Sequence, residues 1–113
     1  MNPDYGRILL VEDNPSDVEL ILHGFGLVGI APYVKVVYDG DEALTYLLYT
    51  SDMRPPEVVI LDLKLPKING WEVLRQIRNT PSMKELPVVV FTSSREPCDI
   101  QESKNYGVDL YLV

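Results

Sequence analysis

The chain is constrained most by a series of short apolar runs, each of which ends abruptly in polar side chains. Three runs contain four apolar residues and no polar one: Ile8–Val11, Val58–Leu61 and Val88–Phe91. Unbroken runs of this length are typical of parallel strands that are buried on both faces of a sheet. With two further segments at residues 34–37 and 110–113, the pattern predicts five strands.

Helical segments separate the predicted strands. Asn14 followed by Pro15 is a favourable helix start, because the Asn side chain can accept a backbone N–H and Pro lacks one. Gly107 is placed to end the last helix. The predicted helices begin near Asn14, Gly40, Gly70 and Pro97. Alternating strands and helices predict an α/β fold: a doubly wound, five-stranded, mainly parallel sheet with helices on both faces.

Size and composition fit one ordinary globular domain. The 113 residues are 46% apolar and 24% charged, which excludes a disordered chain. The net charge of −7 and the absence of a basic stripe argue against direct binding of nucleic acid. No apolar stretch approaches the roughly 20 residues that span a bilayer, and the first ten residues do not have the pattern of an export signal, so we expect neither a membrane span nor export. Because Cys98 is the single cysteine, we expect no internal disulfide and a reducing, cytoplasmic setting.

The polar residues that follow the strands are the candidate site. In open α/β sheets, ligands bind beyond the carboxyl ends of the strands. Glu12 and Asp13 follow the first strand, Asp62 follows the third and Thr92 follows the fourth, so we expect three carboxylates and a hydroxyl to converge. Clustered carboxylates repel one another, and a divalent cation such as Mg²⁺ would relieve that repulsion. The set suits phosphoryl transfer, with Asp62 as nucleophile and Thr92 as hydroxyl donor.

These residues also carry a family resemblance that extends over the whole chain. Its motifs are the LVEDN segment at 10–14, Asp39-Gly40, the ILDLKLP segment at 60–66, Asn69-Gly70 and Phe91-Thr92-Ser93. Together they resemble the receiver domain of bacterial two-component response regulators, a flavodoxin-like fold. Within that family the chain is most similar to short stand-alone receivers that work with phytochrome-type sensor kinases.

The resemblance implies a metal site and a phospho-acceptor. Asp62 would accept the phosphoryl group. Asp13 would bind Mg²⁺ directly, Glu12 would bind it mainly through water, and the backbone carbonyl of Lys64 would complete the protein's ligands.

The resemblance further implies a switch that responds to phosphorylation. Thr92 would move toward the phosphoryl group, and Tyr111 would turn inward as the aromatic switch. A sensor histidine kinase would donate the phosphoryl group, and the surface around the fourth helix and fifth strand would bind a partner, with a second copy of the chain as one candidate. Such a protein catalyses only its own phosphorylation and dephosphorylation, so it is not an enzyme in the usual sense.

One departure from the family lies at the end of the sequence. The resemblance places a lysine immediately after Val113, followed by a fifth helix, and the given residues contain neither. We therefore expect residues 1–113 to form a receiver domain that is incomplete at its C-terminus.

Three other functions are compatible with a parallel sheet that carries carboxylates. A phosphohydrolase of the haloacid-dehalogenase type would need an aspartate two residues after its nucleophile, where this chain has Lys64. A flavodoxin-like cofactor carrier would need a phosphate-binding loop after the first strand, where Glu12 and Asp13 would repel phosphate. A receiver-like scaffold that binds partners without phosphorylation remains open, because the lysine is missing from the given residues.

Overall fold

The structure, a computed structural model, describes residues 6–50, 55–65, 67–91 and 97–112. Their secondary structure alternates between strands and helices along the chain. The strands are β1 (Ile8–Val11), β2 (Val34–Val37), β3 (Val58–Leu61), β4 (Val88–Phe91) and β5 (Leu110–Leu112). The helices are α1 (Pro15–Leu27), α2 (Gly40–Thr50), α3 (Gly70–Asn79) and α4 (Pro97–Asn105), and a 3₁₀ turn at Ala31–Tyr33, which the sequence pattern did not predict, precedes β2.

All five strands lie in one parallel sheet with the order β2-β1-β3-β4-β5. The chain winds outward to β2, returns past β1 and continues through β3 to β5, so the direction of winding reverses between β1 and β3. This topology confirms the predicted doubly wound α/β sheet. Ligand sites in such sheets lie at the point of reversal, which here is the carboxyl end of β1 and β3.

The apolar runs are buried on both faces because helices cover both sides of the sheet. Leu9 and Val11 of β1 face the larger core, which α2 and α3 cover. Leu10, on the opposite face, packs with Val18 of α1. Both faces of β1 are therefore apolar, and polar residues enter only where the strand ends. None of the helices in the described parts of the chain is long and apolar enough to cross a membrane.

Local capping fixes where the helices begin and end. The Asn14 side chain accepts hydrogen bonds from the backbone N–H groups of Ser16 and Asp17, as expected at a helix start. Asn69 caps α3 in the same way by accepting the N–H of Glu72. Gly107 ends α4 in the left-handed conformation, with a φ of 69°. The predicted helix boundaries at Asn14 and Gly107 are confirmed.

The edge of the sheet where the strands begin, the amino edge, is held together by Arg78 at the end of α3. Its Nε donates to the carbonyl of Tyr106 at 2.6 Å and its Nη2 donates to Gly107 at 3.0 Å. Its Nη1 donates to Leu86 at 2.7 Å and to Lys84 at 3.1 Å. One guanidinium therefore joins α3, the loop before β4 and the turn after α4.

Candidate functional site

The sheet register places the first two site residues next to each other. Val11 of β1 pairs with Leu61 of β3, and one residue further along each strand come Glu12 and Asp62. The parallel hydrogen-bond pattern continues here, since the N–H of Glu12 donates to Val37 and the N–H of Asp62 donates to Val11. Neighbouring parallel strands are about 4.8 Å apart, so these two side chains leave the sheet side by side.

Asp13 joins them to complete the acidic cluster, which consists of Glu12, Asp13 and Asp62. One carboxylate oxygen from each residue lies within 4.8 Å of the other two. Glu12 is buried, Asp62 is half-buried and Asp13 is exposed, so the cluster opens to solvent on the side of Asp13. The predicted convergence of the three carboxylates is thus present in the structure.

Backbone donors hold two of the carboxylates in position. The N–H of Asn14 donates to Oε1 of Glu12 at 3.1 Å, and the N–H of Lys64 donates to Oδ1 of Asp62 at 3.1 Å. Both donors lie two residues beyond the carboxylate that they contact. The first turn of each loop therefore orients an acid that the sheet has already placed.

The cluster carries an electrostatic conflict. Burial and the negative charges of Asp62 and Asp17 together raise the pKa of Glu12 to about 7, although the N–H of Asn14 opposes the shift. A carboxylate whose ionised form is disfavoured in this way gains from a nearby cation. Three carboxylate oxygens at a solvent-open rim are hard donors of the kind that Mg²⁺ and Mn²⁺ prefer. The residues present therefore fit a divalent metal ion.

The other residues predicted to belong to the site are Lys64, Tyr111 and Thr92, and none of them is part of the acidic cluster itself. Lys64 is exposed in the loop after β3 and contacts Asp62 through its backbone N–H. Tyr111, on β5, is half-buried and packs against the larger core. Thr92 lies outside the described residues, so its predicted contact with the site stays a prediction.

Comparison with known proteins decides the family. The family model described as the response regulator receiver domain matches residues 8–113 of the chain. The chain belongs to the response regulator receiver family. The match extends from β1 to β5 and includes the acidic cluster of this receiver.

Named relatives agree with this assignment. The receiver is 40% identical over 108 residues to the probable methanogenesis regulatory protein FilR2 of Methanothrix harundinacea, with 94% of this chain and 70% of that protein covered. Its structure is similar to that of the phosphorylated cyanobacterial phytochrome response regulator RcpA, with a TM-score of 0.87 and 37% identity over 96% of this chain and 80% of that one.

A second solved structure bears on the metal. The receiver is 34% identical to the Mn²⁺-bound form of the response regulator Rcp1, with a TM-score of 0.83, covering 94% of this chain and 78% of that one. Rcp1 is a protein of Synechocystis. These likenesses confirm the resemblance to phytochrome response regulators and the flavodoxin-like receiver fold.

Sequence reasoning did not find every residue that shapes this region. In the sequence, Asp39 stands out only as part of the Asp39-Gly40 motif, and no pattern pairs it with Lys67. Their side chains nevertheless form an ion pair beside the site, with Lys67 Nζ 3.5 Å from Asp39 Oδ2. Their separation along the chain gives no periodic signal. Arg78 was also missed, because an arginine that donates to backbone carbonyls has no partner that can be recognised in sequence.

Proposed function

We propose that this receiver accepts a phosphoryl group from a sensor histidine kinase onto Asp62 in a Mg²⁺-dependent reaction, and that the modification changes a protein-binding surface. The observation that carries the proposal is the cluster of Glu12, Asp13 and Asp62, with its oxygens within 4.8 Å, in a chain of the receiver family. The Mn²⁺-bound form of Rcp1 and the phosphorylated form of RcpA support it by analogy.

In the proposed reaction Asp62 is the nucleophile. The N–H of Lys64 holds Oδ1 of Asp62, which leaves Oδ2 as the oxygen that attacks phosphorus. The new bond joins this oxygen to phosphorus, and the bond from phosphorus to the donor histidine nitrogen breaks, so that the nitrogen keeps the electron pair. The receiver acts only on itself, as a switch rather than as an enzyme with an external substrate.

Glu12, Asp13, Asp62 and the backbone carbonyl of Lys64 would hold the metal ion. When bound, Mg²⁺ would neutralise negative charge on the carboxylates and on the phosphoryl oxygens. Glu12 suits a ligand that acts through water because the N–H of Asn14 already occupies its Oε1. Asp13 suits a direct ligand because its side chain is exposed at the open side of the cluster.

The switch would involve Thr92 and Tyr111, as the family resemblance implies. Tyr111 lies on the edge strand β5, beside the surface that α4 and β5 form. We propose that this surface contacts the output partner, or a second copy of the chain, in the cytoplasm. The net charge of −7 argues against direct contact of this domain with nucleic acid.

The first experiment is the intact mass of the protein before and after incubation with acetyl phosphate and Mg²⁺. We expect a gain of one phosphoryl group that disappears with EDTA and in Asp62→Asn. The matched control is Asp41→Asn, which removes an exposed carboxylate in the first turn of α2 and should leave the gain intact. No gain in the wild-type protein would overturn the proposal and favour the scaffold that works without phosphorylation.

A further inference from the structure

The loop between β3 and α3, of which the structure describes residues 63–65 and 67–69, contacts the start of α2. This loop begins one residue after Asp62 and contains Lys64, so its position sets where the backbone carbonyl of Lys64 lies and how the N–H of Lys64 meets Asp62. The two ends of the loop are joined by a hydrogen bond of 3.0 Å from the N–H of Gly70 to the carbonyl of Leu63. Two further contacts reach it from Asp39 and Gly40 and have no part in the function proposed above.

The first contact is the close approach of Gly40 to Ile68. A Cβ atom placed on Gly40 would lie 1.8 Å from the carbonyl oxygen of Ile68 and 2.9 Å from its Cβ. Both distances are far below van der Waals contact, so only a glycine permits this approach. The backbone of Ile68 in the loop therefore packs directly against Gly40, the first residue of α2.

The second contact is the ion pair between Asp39 and Lys67. The two oxygens of Asp39 have separate partners: Oδ1 accepts the N–H of Glu42 at 2.7 Å and caps α2, while Oδ2 faces Nζ of Lys67 at 3.5 Å. Both the N–H of Glu42 and the charge of Lys67 lower the pKa of Asp39, so this carboxylate stays ionised near neutral pH. One aspartate thus connects the helix start to the loop.

Lys67 has an unfavourable backbone conformation at this position. Its φ is 62°, and it is the only non-glycine residue with a positive φ in the described parts of the chain. The left-handed region is unfavourable for an L-residue because its Cβ crowds the following carbonyl oxygen, so surrounding contacts must hold the residue there. Lys67 itself forms the ion pair, and the next residue, Ile68, makes the Gly40 contact, so both contacts are placed to restrain this conformation.

We propose that the Asp39–Lys67 ion pair and the Gly40–Ile68 contact act as a strap that positions this loop, and with it Lys64, for metal binding and phosphorylation at Asp62. Asp39 and Lys67 are then positioning residues, since neither belongs to the acidic cluster. The inference rests on the function proposed above and adds a determinant of its efficiency.

Removal of Lys67 should change Mg²⁺ affinity in the direction opposite to that expected from its charge. If Lys67 acted only through its charge, its removal would strengthen Mg²⁺ binding, because a cation near the cluster repels another cation. If Lys67 positions the loop, its removal should weaken Mg²⁺ binding instead. Lys67→Met separates the two effects, and Lys84→Met is the matched control, with the same charge change at an exposed lysine near the amino edge.

The experiment measures the melting temperature of each protein across a Mg²⁺ titration. Bound metal stabilises the folded chain by an amount that depends on its concentration relative to Kd, so the titration gives affinity without any activity readout. We expect Lys67→Met and Asp39→Asn each to weaken Mg²⁺ binding roughly two- to fivefold, the range that an exposed ion pair supports. Asn can still cap α2, so Asp39→Asn removes mainly the charge.

A double variant and a charge-conserving substitution test whether Asp39 and Lys67 act through their ion pair. The double variant Asp39→Asn/Lys67→Met should bind Mg²⁺ no more weakly than either single variant, and Lys67→Arg should restore most of the affinity. Phosphorylation by acetyl phosphate at limiting Mg²⁺ should slow in the same order.

Each failure has a separate meaning. Tighter or unchanged Mg²⁺ binding in Lys67→Met, or fully additive effects in the double variant, would overturn the strap while leaving the proposed function intact. A wild-type protein that neither binds Mg²⁺ nor gains a phosphoryl group would overturn the proposed function first.

Discussion

The two edges of the sheet differ in how their charged side chains are compensated. At the carboxyl edge, Glu12, Asp13 and Asp62 bring like charges together, and burial raises the pKa of Glu12 to about 7. At the amino edge, charged groups have partners: Arg7 forms an ion pair with Glu57, and Arg78 donates to backbone carbonyls. The acidic cluster that follows β1 and β3 therefore retains its charge repulsion, whereas Arg7, Glu57 and Arg78 at the opposite edge have partners.

The difference assigns stability and function to opposite ends of one fold. Asp109 shows the pattern at the amino edge, since its backbone N–H donates to the carbonyl of Val88 and its Oδ2 accepts the N–H of Val88. Contacts of this kind lower the free energy of the folded chain without a ligand. At the carboxyl edge, the N–H groups of Asn14 and Lys64 each contact one carboxylate, but they leave the repulsion within the acidic cluster in place. A cation that binds there would relieve that repulsion and stabilise the folded chain.

The largest test of this contrast is Arg78→Met. The variant leaves the carbonyls of Tyr106, Leu86, Gly107 and Lys84 without their guanidinium donor. Because bonds from charged donors are each worth more than 1 kcal/mol and the site is only partly buried, we expect a loss of about 3 kcal/mol in the free energy of unfolding. Urea denaturation measures the loss.

Mg²⁺ affinity provides the comparison for that variant. It should change less than twofold in Arg78→Met, because the substitution lies at the opposite edge from the acidic cluster. Arg78→Lys should recover a minor part of the stability, since one ammonium cannot reach all four carbonyls. A variant that loses metal affinity in proportion to stability would show that the two edges are not independent.

Gly40→Ala should damage the carboxyl edge by displacing a loop. The added Cβ would meet the carbonyl oxygen of Ile68 at 1.8 Å, so either α2 or the loop must shift. We expect a loss of about 2 kcal/mol in stability and a fall of roughly tenfold in Mg²⁺ affinity. The control is Gly24→Ala in α1, where nothing lies within 4 Å of the new Cβ and helix propensity should raise stability slightly. Equal metal affinity in the two variants would contradict the expectation.

The sequence predicted the frame of the molecule well because its signals are local. Four-residue apolar runs locate the central strands, Asn14 and Gly107 locate helix ends, and the position of Asp62 after β3 follows from the run before it. The convergence of Glu12, Asp13 and Asp62 needed only the rule that parallel strands share a carboxyl edge.

The contacts that sequence reasoning missed are those that depend on backbone positions far apart in the chain. Asp39 and Lys67 meet only because two loops that follow non-adjacent strands, β2 and β3, approach each other above β1. Arg78 recognises carbonyls, which every residue carries, so no side-chain pattern marks its partners. The sequence predicts a helix start near Gly40, but the close contact of Gly40 with Ile68 depends on the folded positions of two loops and has no sequence signal.

A pH titration of the metal-free protein tests the charge conflict at the carboxyl edge. Glu12 has a pKa of about 7 in the folded chain and about 4.5 when unfolded, so its contribution to stability is complete below pH 4.5 and is lost as pH rises toward and through 7. We expect Glu12→Gln to flatten this fall and to stabilise the metal-free protein at pH 8 by about 1 kcal/mol, since solvent at the open side screens part of the repulsion. Thermal melts at pH 5 and pH 8 measure it.

Mg²⁺ should reverse the order of the two proteins in that experiment. At pH 8 saturating Mg²⁺ should stabilise the wild-type protein more than Glu12→Gln, because the variant has lost a charged ligand. A wild-type protein that is equally stable at both pH values without metal would show that the acidic cluster is not under electrostatic strain.

The smallest expected effect is the coupling energy of the Arg7–Glu57 ion pair, which shows how much a surface ion pair contributes to the stability of the amino edge. Their side chains meet at 2.7 Å but remain 42% and 63% exposed, so solvent screens the pair and its coupling energy should be about 0.5 kcal/mol. A double-mutant cycle with Arg7→Gln and Glu57→Gln measures this energy. A coupling above about 2 kcal/mol would mean that surface ion pairs stabilise the amino edge. The expected small value, beside the large loss in Arg78→Met, would assign that stability to the less exposed guanidinium and its carbonyl acceptors.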